Sequence, residues 1–255
     1  IAAVTDDTAA EVATAVAAAI NAETDCPATA SADTGTVTIT AKHKGLLGNQ
    51  IDLRHSYYYT DKLPEGLSLT ITAMADGDGN PEIDTALAAV EGMWFRWFCM
   101  PYTDPVNLAA LRDEIEARWD WDIQKRAMGI NAILGTVGEM QTLGDTLNSP
   151  YLSVMGAGKS PSSPEAWAAG YSATAARYLN EDPARPLQTL EIKGVLPPIR
   201  QDELSITEQN VLLFGGIATY MVSSDSKCQI QRAITTYQEN DWGAPDSAYL
   251  DLNRP

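Results

Sequence analysis

The sequence predicts an α/β fold, a mostly parallel sheet with flanking helices, preceded by a small amino-terminal α+β module. Three observations predict it. From residue 82 onward, strand-like and helix-like stretches alternate, which argues for parallel strands joined by helical crossovers. Residues 94–100 are a near-continuous apolar run, the pattern of a strand covered on both faces, and 151–156 reads as another buried strand. Ahead of them, residues 75–81 (Ala-Asp-Gly-Asp-Gly-Asn-Pro) break the composition and mark a boundary, so that residues 1–75 make the small module and 76–255 the core domain.

In the small module, Asp6 or Asp7 caps a helix running to about Ala22, with Val12, Val16 and Ile20 on one face at helical spacing. Its many alanines favour helix but bury little, so it needs a sheet to pack on. Residues 28–32, 36–41 and 51–58 alternate apolar with polar, Asp33-Thr34-Gly35 supplies a turn, and residues 67–73 alternate cleanly as a fourth strand. In the core domain, residues 82–91 read as helix and 94–100 as strand. Asp104 and Pro105 are an N-cap and an N1 proline for a helix to about Trp121. A strand at 127–135, a helix at 139–147 and a strand at 151–156 follow. Ser163-Pro164 opens a helix to Asn180, and a proline-rich crossing spans 182–198. Ser205-Ile206-Thr207-Glu208 is a capping box that starts a helix to Phe214. Strands at 217–222 and 228–238, joined through 223–227, close the pattern as a hairpin. Internal repeats and low-complexity tails are absent.

The 255 residues carry 34 acidic and 17 basic side chains, a net charge of −17. Neutralising phosphates needs the opposite sign, so no nucleic-acid partner is expected. Copies of so acidic a chain repel one another, and self-association must draw on backbone pairing or apolar surface. The longest apolar run, 93–102, is broken by Arg96 and Pro101 and is too short to span a bilayer, so no membrane insertion is expected. The amino-terminal residues are acidic and alanine-rich, unlike a secretion signal. Cys26, Cys99 and Cys228 lack the paired spacing of a zinc site or disulfide framework. Cys99, inside an apolar run, is expected to be a buried thiol. Ile1 is not an initiator methionine and Pro255 follows a strand-like stretch at 249–252, so both ends are expected to be cut from a longer chain.

Several fragments invite a catalytic reading. Gly158-Lys159-Ser160 follows a strand as the end of a phosphate loop does, but the position five residues before Gly158 is Ser153, and Pro161 removes a backbone donor. Asp76, Asp78 and Asn80 suggest a calcium loop, yet Pro81 stands where glycine is needed and Leu87 where glutamate is needed. A hydrolase triad needs a histidine base. His43 and His55 are the two present, both in the small module on opposite sides of the 44–50 loop, where they read as sheet-surface residues. The core domain has no Gly-x-Ser-x-Gly elbow. Asp113, Glu114 and Glu116 beside Arg112 and Arg118 read as a solvated helix face. Trp94, Phe95, Trp97 and Phe98 could line a groove, but packing of a central strand is the simpler account. No catalytic, cofactor-binding or metal-ligating residue is therefore assigned.

A set of phrases, in order, carries a resemblance. Cys99-Met100-Pro101-Tyr102-Thr103-Asp104 leads into Asn107-Leu108-Ala109-Ala110-Leu111, and Asn148-Ser149-Pro150 precedes Val154-Met155-Gly156-Ala157-Gly158. Asp182-Pro183-Ala184-Arg185-Pro186-Leu187-Gln188-Thr189-Leu190, Gly216-Ile217-Ala218-Thr219-Tyr220, Arg232-Ala233-Ile234-Thr235-Thr236-Tyr237-Gln238 and Tyr249-Leu250-Asp251-Leu252-Asn253 follow. With Thr8-Ala9-Ala10-Glu11-Val12-Ala13 and Asn49-Gln50-Ile51-Asp52-Leu53-Arg54 of the small module, they resemble the tail sheath proteins of Mu-like contractile phages and prophages.

The resemblance implies a structural, non-enzymatic subunit. It would polymerise with itself as stacked hexameric rings around a tail tube protein, above a baseplate, and contract to drive the tube through the host envelope. It implies a place in the virion, with assembly in the host cytoplasm, and no cofactor. Extended terminal arms join subunits in such sheaths by adding strands to a neighbour's sheet. Since those arms lie beyond these residues, the 255-residue piece is expected to be mainly monomeric, and light scattering that found long tubes would count against this. Two alternatives stand beside it: a hydrolase or nucleotide-binding enzyme on the same frame, and a binding component of the tail tube or baseplate.

Overall fold

The computed structural model describes residues 7–58 and 60–246, which fall into two compact units, Ile1–Pro81 and Glu82–Pro255. Asp6 and the strand-like stretch at 249–252 lie outside the described residues.

In the first unit, helix α1 (Ala9–Ala22) begins one residue later than its aspartates suggest, because Thr8 caps it. Glu11 returns the bond by accepting from the Thr8 amide at 2.8 Å, closing a capping box. Strands β1 (Ala28–Asp33) and β2 (Thr36–Ala41) pair antiparallel from Ala28↔Ala41 to Asp33↔Thr36. Their two-residue turn places Thr34 and Gly35 at φ +42° and +91°, the left-handed geometry that matches strand twist. Ala13 and Ala17 bury α1 against this hairpin, and the Asn21 amide clips it, donating to Ala30 O at 2.8 Å and accepting from Ala30 N at 2.9 Å.

The expected strands at 51–58 and 67–73 do not form; both stretches are irregular, and Leu46–Gln50 makes a 3-10 turn ahead of the first. Leu53, Leu69 and Ile71 instead line a trough of about 740 Å³ with Val16 of α1 and Ile39 of β2. Alternation specifies which side chains share a face, and here that face is met without a hydrogen-bonded neighbour.

The second unit contains α2 (Asp84–Val90), β3 (Trp97–Cys99), α3 (Pro105–Arg118), β4 (Met128–Leu134), α4 (Val137–Asp145), β5 (Leu152–Gly158), α5 (Pro164–Glu181), α6 (Ile206–Phe214), β6 (Ile217–Val222) and β7 (Cys228–Arg232). The five strands lie in chain order, β3-β4-β5-β6-β7, parallel except for the final hairpin. The mostly parallel sheet with flanking helices is thus the fold observed. Asp104 caps α3 by accepting from Asn107 N, and Thr136 and Ser205 cap α4 and α6 through boxes with Glu139 and Glu208.

Two apolar layers cover the sheet. On one face, Leu108, Leu111 and Ile115 of α3, Met140 and Leu143 of α4 and Leu212 of α6 pack on Leu152, Val154 and Ile217. On the other, Trp167, Tyr171 and Ala175 of α5 pack on Met128, Ile130, Met155 and Tyr220. Consecutive right-handed crossovers in a sheet of sequential order place their helices on one face. Helix α5 is the exception, and the crossing after it returns the chain along the far edge of the sheet. There Thr189 and Ile192 donate to Ile230 O and Cys228 O, and Ile230 donates to Leu190 O, so the crossing covers the outer edge of β7.

Two expected strands are shorter than their apolar runs. The 94–100 run pairs only over Trp97–Cys99, at the sheet's edge; Trp94, Phe95 and Cys99 are exposed, so neither a central strand nor a buried thiol is present. The 228–238 run leaves the ladder at Arg232 and crosses beneath β5, where Thr236 donates from its amide to Leu152 O and Ser153 Oγ donates to Ile234 O at 2.6 Å. Thr236 Oγ1 also accepts from Ser149 N and donates to Ser149 O, which joins two of the sequence phrases quoted above.

Close approach in the first layer depends on glycine. A Cβ on Gly144 of α4 would stand 1.9 Å from Gly215 O, at the end of α6. Gly144→Ala is expected to destabilise the protein by about 3 kcal/mol through overpacking, seen as a lowered denaturation midpoint; an unchanged midpoint would show that the two helices separate freely.

Candidate functional site

In open α/β sheets, ligands bind in a crevice beyond the carboxyl ends of the strands. This chain has such a crevice, about 370 Å³, where Gly135, Thr136, Gly158 and Lys159 leave β4 and β5 and face Asp202, Glu203, Leu204 and Glu208. The amino termini of α4 and α6 point their free backbone donors toward this region, the usual means of holding an anion. Here the capping boxes occupy two of the donors at each terminus. Glu139 accepts from Thr136 N at 2.7 Å, and Glu208 accepts from Ser205 N at 2.8 Å. The cation of the crevice, Lys159, is held by Asp202 at 3.0 Å. Three carboxylates and a paired lysine give the crevice an acidic lining ill-suited to phosphate.

The phosphate-like phrase Gly158-Lys159-Ser160 has a packing role. Ser160 Oγ accepts from Trp167 Nε1 at 2.8 Å and donates to Leu196 O at 2.7 Å, which fixes α5 and the crossing together. The calcium-like loop of the first unit is zipped to the 45–49 turn. Gly77 N donates to Asn49 Oδ1 at 2.8 Å, Asn49 Nδ2 donates to Gly77 O at 2.9 Å, and Asn80 Oδ1 accepts from Leu46 N. His43 is exposed, and His55 meets the Ser56 hydroxyl at 2.5 Å. Among the described residues no group of three or more His, Cys, Asp and Glu side chains is placed to hold a metal ion. Burial pushes the Cys228 thiol up to about 12, far from a reactive thiolate.

The α3 charges divide in two. Arg112 pairs with Asp113 at the surface at 2.7 Å. Arg118, by contrast, is 3% exposed and not on a solvated face. Its guanidinium donates to Glu114 at 2.8 Å, to Met93 O at 2.8 Å and to Val90 O at 3.0 Å, and it lies 4.9 Å from the Phe98 ring centroid. One side chain therefore ties α2, the approach to β3 and α3 together. No periodicity signals this; only the i,i+4 Glu-Arg spacing hints at it.

The opposite end of the strands carries the largest exposed aromatics of the sheet. Trp94 and Phe95 precede β3, and Trp121 and Ile123 precede β4. Trp94 Nε1 donates to Arg126 O, and Lys125 Nζ donates to Glu91 O and Gly92 O, so the two loops form one corner.

Comparison with known proteins was informative at this point. A family model described as the phage tail sheath protein central domain matches residues 76–236. The Mu-like prophage FluMu tail sheath protein of Haemophilus influenzae is 37% identical over 244 residues, covering 96% of this chain and 50% of that protein. The chain thus spans half the length of this curated relative. Among solved structures, a sheath tail protein from Desulfitobacterium hafniense aligns with a TM-score of 0.51 at 13% identity, covering 90% of this chain and 54% of that one, a likeness of fold.

Two predictions come from these contacts. Arg118→Ala leaves two carbonyls and Glu114 without their donor and is expected to cost about 2–3 kcal/mol, whereas Arg112→Ala leaves thermal stability near that of the parent; equal effects would contradict the assignment. Glu139 and Glu208 accept backbone and hydroxyl bonds from their capping residues, which hold both carboxyls below the ordinary 4.5. Their depressed folded-state values mean that the stabilisation is complete above about pH 4.5 and is lost as pH falls through the folded values. Glutamine keeps the box without titrating, so Glu139→Gln with Glu208→Gln should flatten the acid limb of the melting profile, and an unchanged limb would contradict this.

Proposed function

The chain belongs to the phage tail sheath protein family, and on that premise we propose that it is the central part of a structural subunit that polymerises around a phage tail tube. The observation that carries this is the 37% identity sustained over 96% of the chain. The subunit forms stacked hexameric rings, associates with the tail tube protein and the baseplate, and contracts to drive the tube through the host envelope. It belongs to the virion after assembly in the host cytoplasm, needs no cofactor, and catalyses no reaction.

The physical form of the second unit suits this task. A sheath that contracts needs rigid bodies that slide while their connections persist, and two packings of one body that differ in free energy. A sheet buried on both faces, with α3, α4 and α6 capped by their own side chains, has few soft degrees of freedom. The −17 charge gives each copy a repulsion that changes as copies move, so the balance between packings depends on salt.

The crevice at the carboxyl ends of β4 and β5 is the one observation that favours an enzyme. Its lining is acidic, its helix termini are partly occupied and its lysine is paired, which favours the structural reading over it.

Electron microscopy of the protein in the full length of its gene should show hollow tubes with sixfold symmetry around the axis. A soluble monomer, or a closed baseplate-like ring that never stacks, would contradict the sheath assignment. Nucleotides and divalent metals should move the melting temperature by less than about 1 °C, because a ligand that binds only the folded state raises it in proportion to ln(1 + [L]/Kd); a saturable rise would favour the enzyme. Contraction of assembled sheaths should shift with ionic strength, and indifference to salt would remove charge as a regulator.

A further inference from the structure

The two ends of the parallel sheet differ in chemistry. The corner ahead of β3 and β4 exposes Trp94, Phe95, Trp121 and Ile123, with Trp121 81% exposed. Arg96 lies 5.8 Å from the Trp94 ring centroid and Arg126 5.2 Å from that of Trp119. Both arginines are exposed, and neither has a carboxylate partner among the described residues. Apart from the buried Arg118, held by Glu114, residues 91–97 and 118–126 carry three basic and three acidic side chains, a local balance in a chain whose total is −17. The general repulsion between copies is therefore reduced at this corner, where tryptophan and arginine, the residues that most often dominate interfaces, are concentrated.

The far end of the same strands is its complement. Asp202, Glu203 and Glu208 rim the crevice beyond β4 and β5, against Lys159 and Arg200. Apolar surface adjoins it, with Ile206 83% exposed at the start of α6 and Leu196 and Ile199 exposed in the crossing. Seven-residue β4 separates the two ends by roughly 20 Å.

We propose that the aromatic, arginine-bearing end of one copy docks on the acidic crevice end of a second copy, head to tail. This rests on the self-assembly proposed above and names the surfaces that would carry it. Arg96 and Arg126 find an excess of carboxylates at the crevice end rather than at their own charge-balanced corner, so charge complementarity favours a heterologous contact. Heterologous contacts repeat, and they close into rings or continue as helical arrays. The crevice that resembles a ligand site is then filled by side chains of the neighbour.

The test uses the full-length protein, with sedimentation and electron microscopy reading the concentration at which polymers appear. Arg96→Glu with Arg126→Glu should raise that concentration by about tenfold, and Glu203→Arg added to them should recover about threefold of the loss. Trp121→Ser, a change at a solvent-exposed side chain, should also raise it and keeps the test open if the charge reversals lower the melting temperature. Variants that polymerise like the parent, or a reversal that Glu203→Arg does not relieve, would overturn the head-to-tail contact while leaving the sheath assignment standing. A parent protein that forms no polymer but binds a different acidic protein through this corner would overturn both.

Discussion

Both faces of β4 and β5 are removed from water, and that constraint organises the second unit. β5 is buried throughout and β4 through its first five residues. A strand with no wet face needs a helix layer above and below and a neighbour on each side. The neighbours are β3 and β6, and the layers are α3, α4 and α6 against α5. The helices must also approach closely, which is why Gly144 sits against the end of α6. Each further feature, from Ser160 bonding to the crossing to Thr236 beneath β5, satisfies a polar group that this burial would otherwise strand.

The helix termini at the crevice are partly occupied by Glu139 and Glu208, and Lys159 is held by Asp202. What remains outward-facing lies at the two ends of the strands and along the short edge strand β3. The subunit proposed above would draw its rigidity from internal satisfaction and its partner contacts from the ends.

Much of this was legible in the residues. Ser205 and Glu208, and Asp104 with Pro105, gave helix starts that the structure reproduces, because caps act within a few residues. The run at 151–156 marks a buried strand because two dry faces leave no room for polar alternation, and 127–135 is legible as its neighbour strand. The failures share a cause. Residues 51–58 and 67–73 alternate as strands do, but pairing depends on which backbone lies alongside, and alternation does not encode that. Trp94 and Phe95 are as apolar as a core strand, yet edge position leaves them exposed. Arg118 looked like its neighbour Arg112, since burial of a charge is decided by the carbonyls of Val90 and Met93, nearly thirty residues away. The crevice as a whole is not legible in the sequence: Gly158-Lys159 hints at one wall, but the walls come together from three separate stretches, 135–138, 158–159 and 201–208.

The central claim is that this chain supplies a self-contained rigid body to a polymer whose contacts, not whose fold, change. Cryo-electron microscopy of the assembled sheath before and after contraction tests it most directly. The second unit should superimpose between the two states within about 1 Å over its backbone, with β3 to β7 in the same order and the crevice walls unmoved, while the relation between copies changes. Re-paired strands, a displaced α5, or a unit that opens at the crevice on contraction would contradict it.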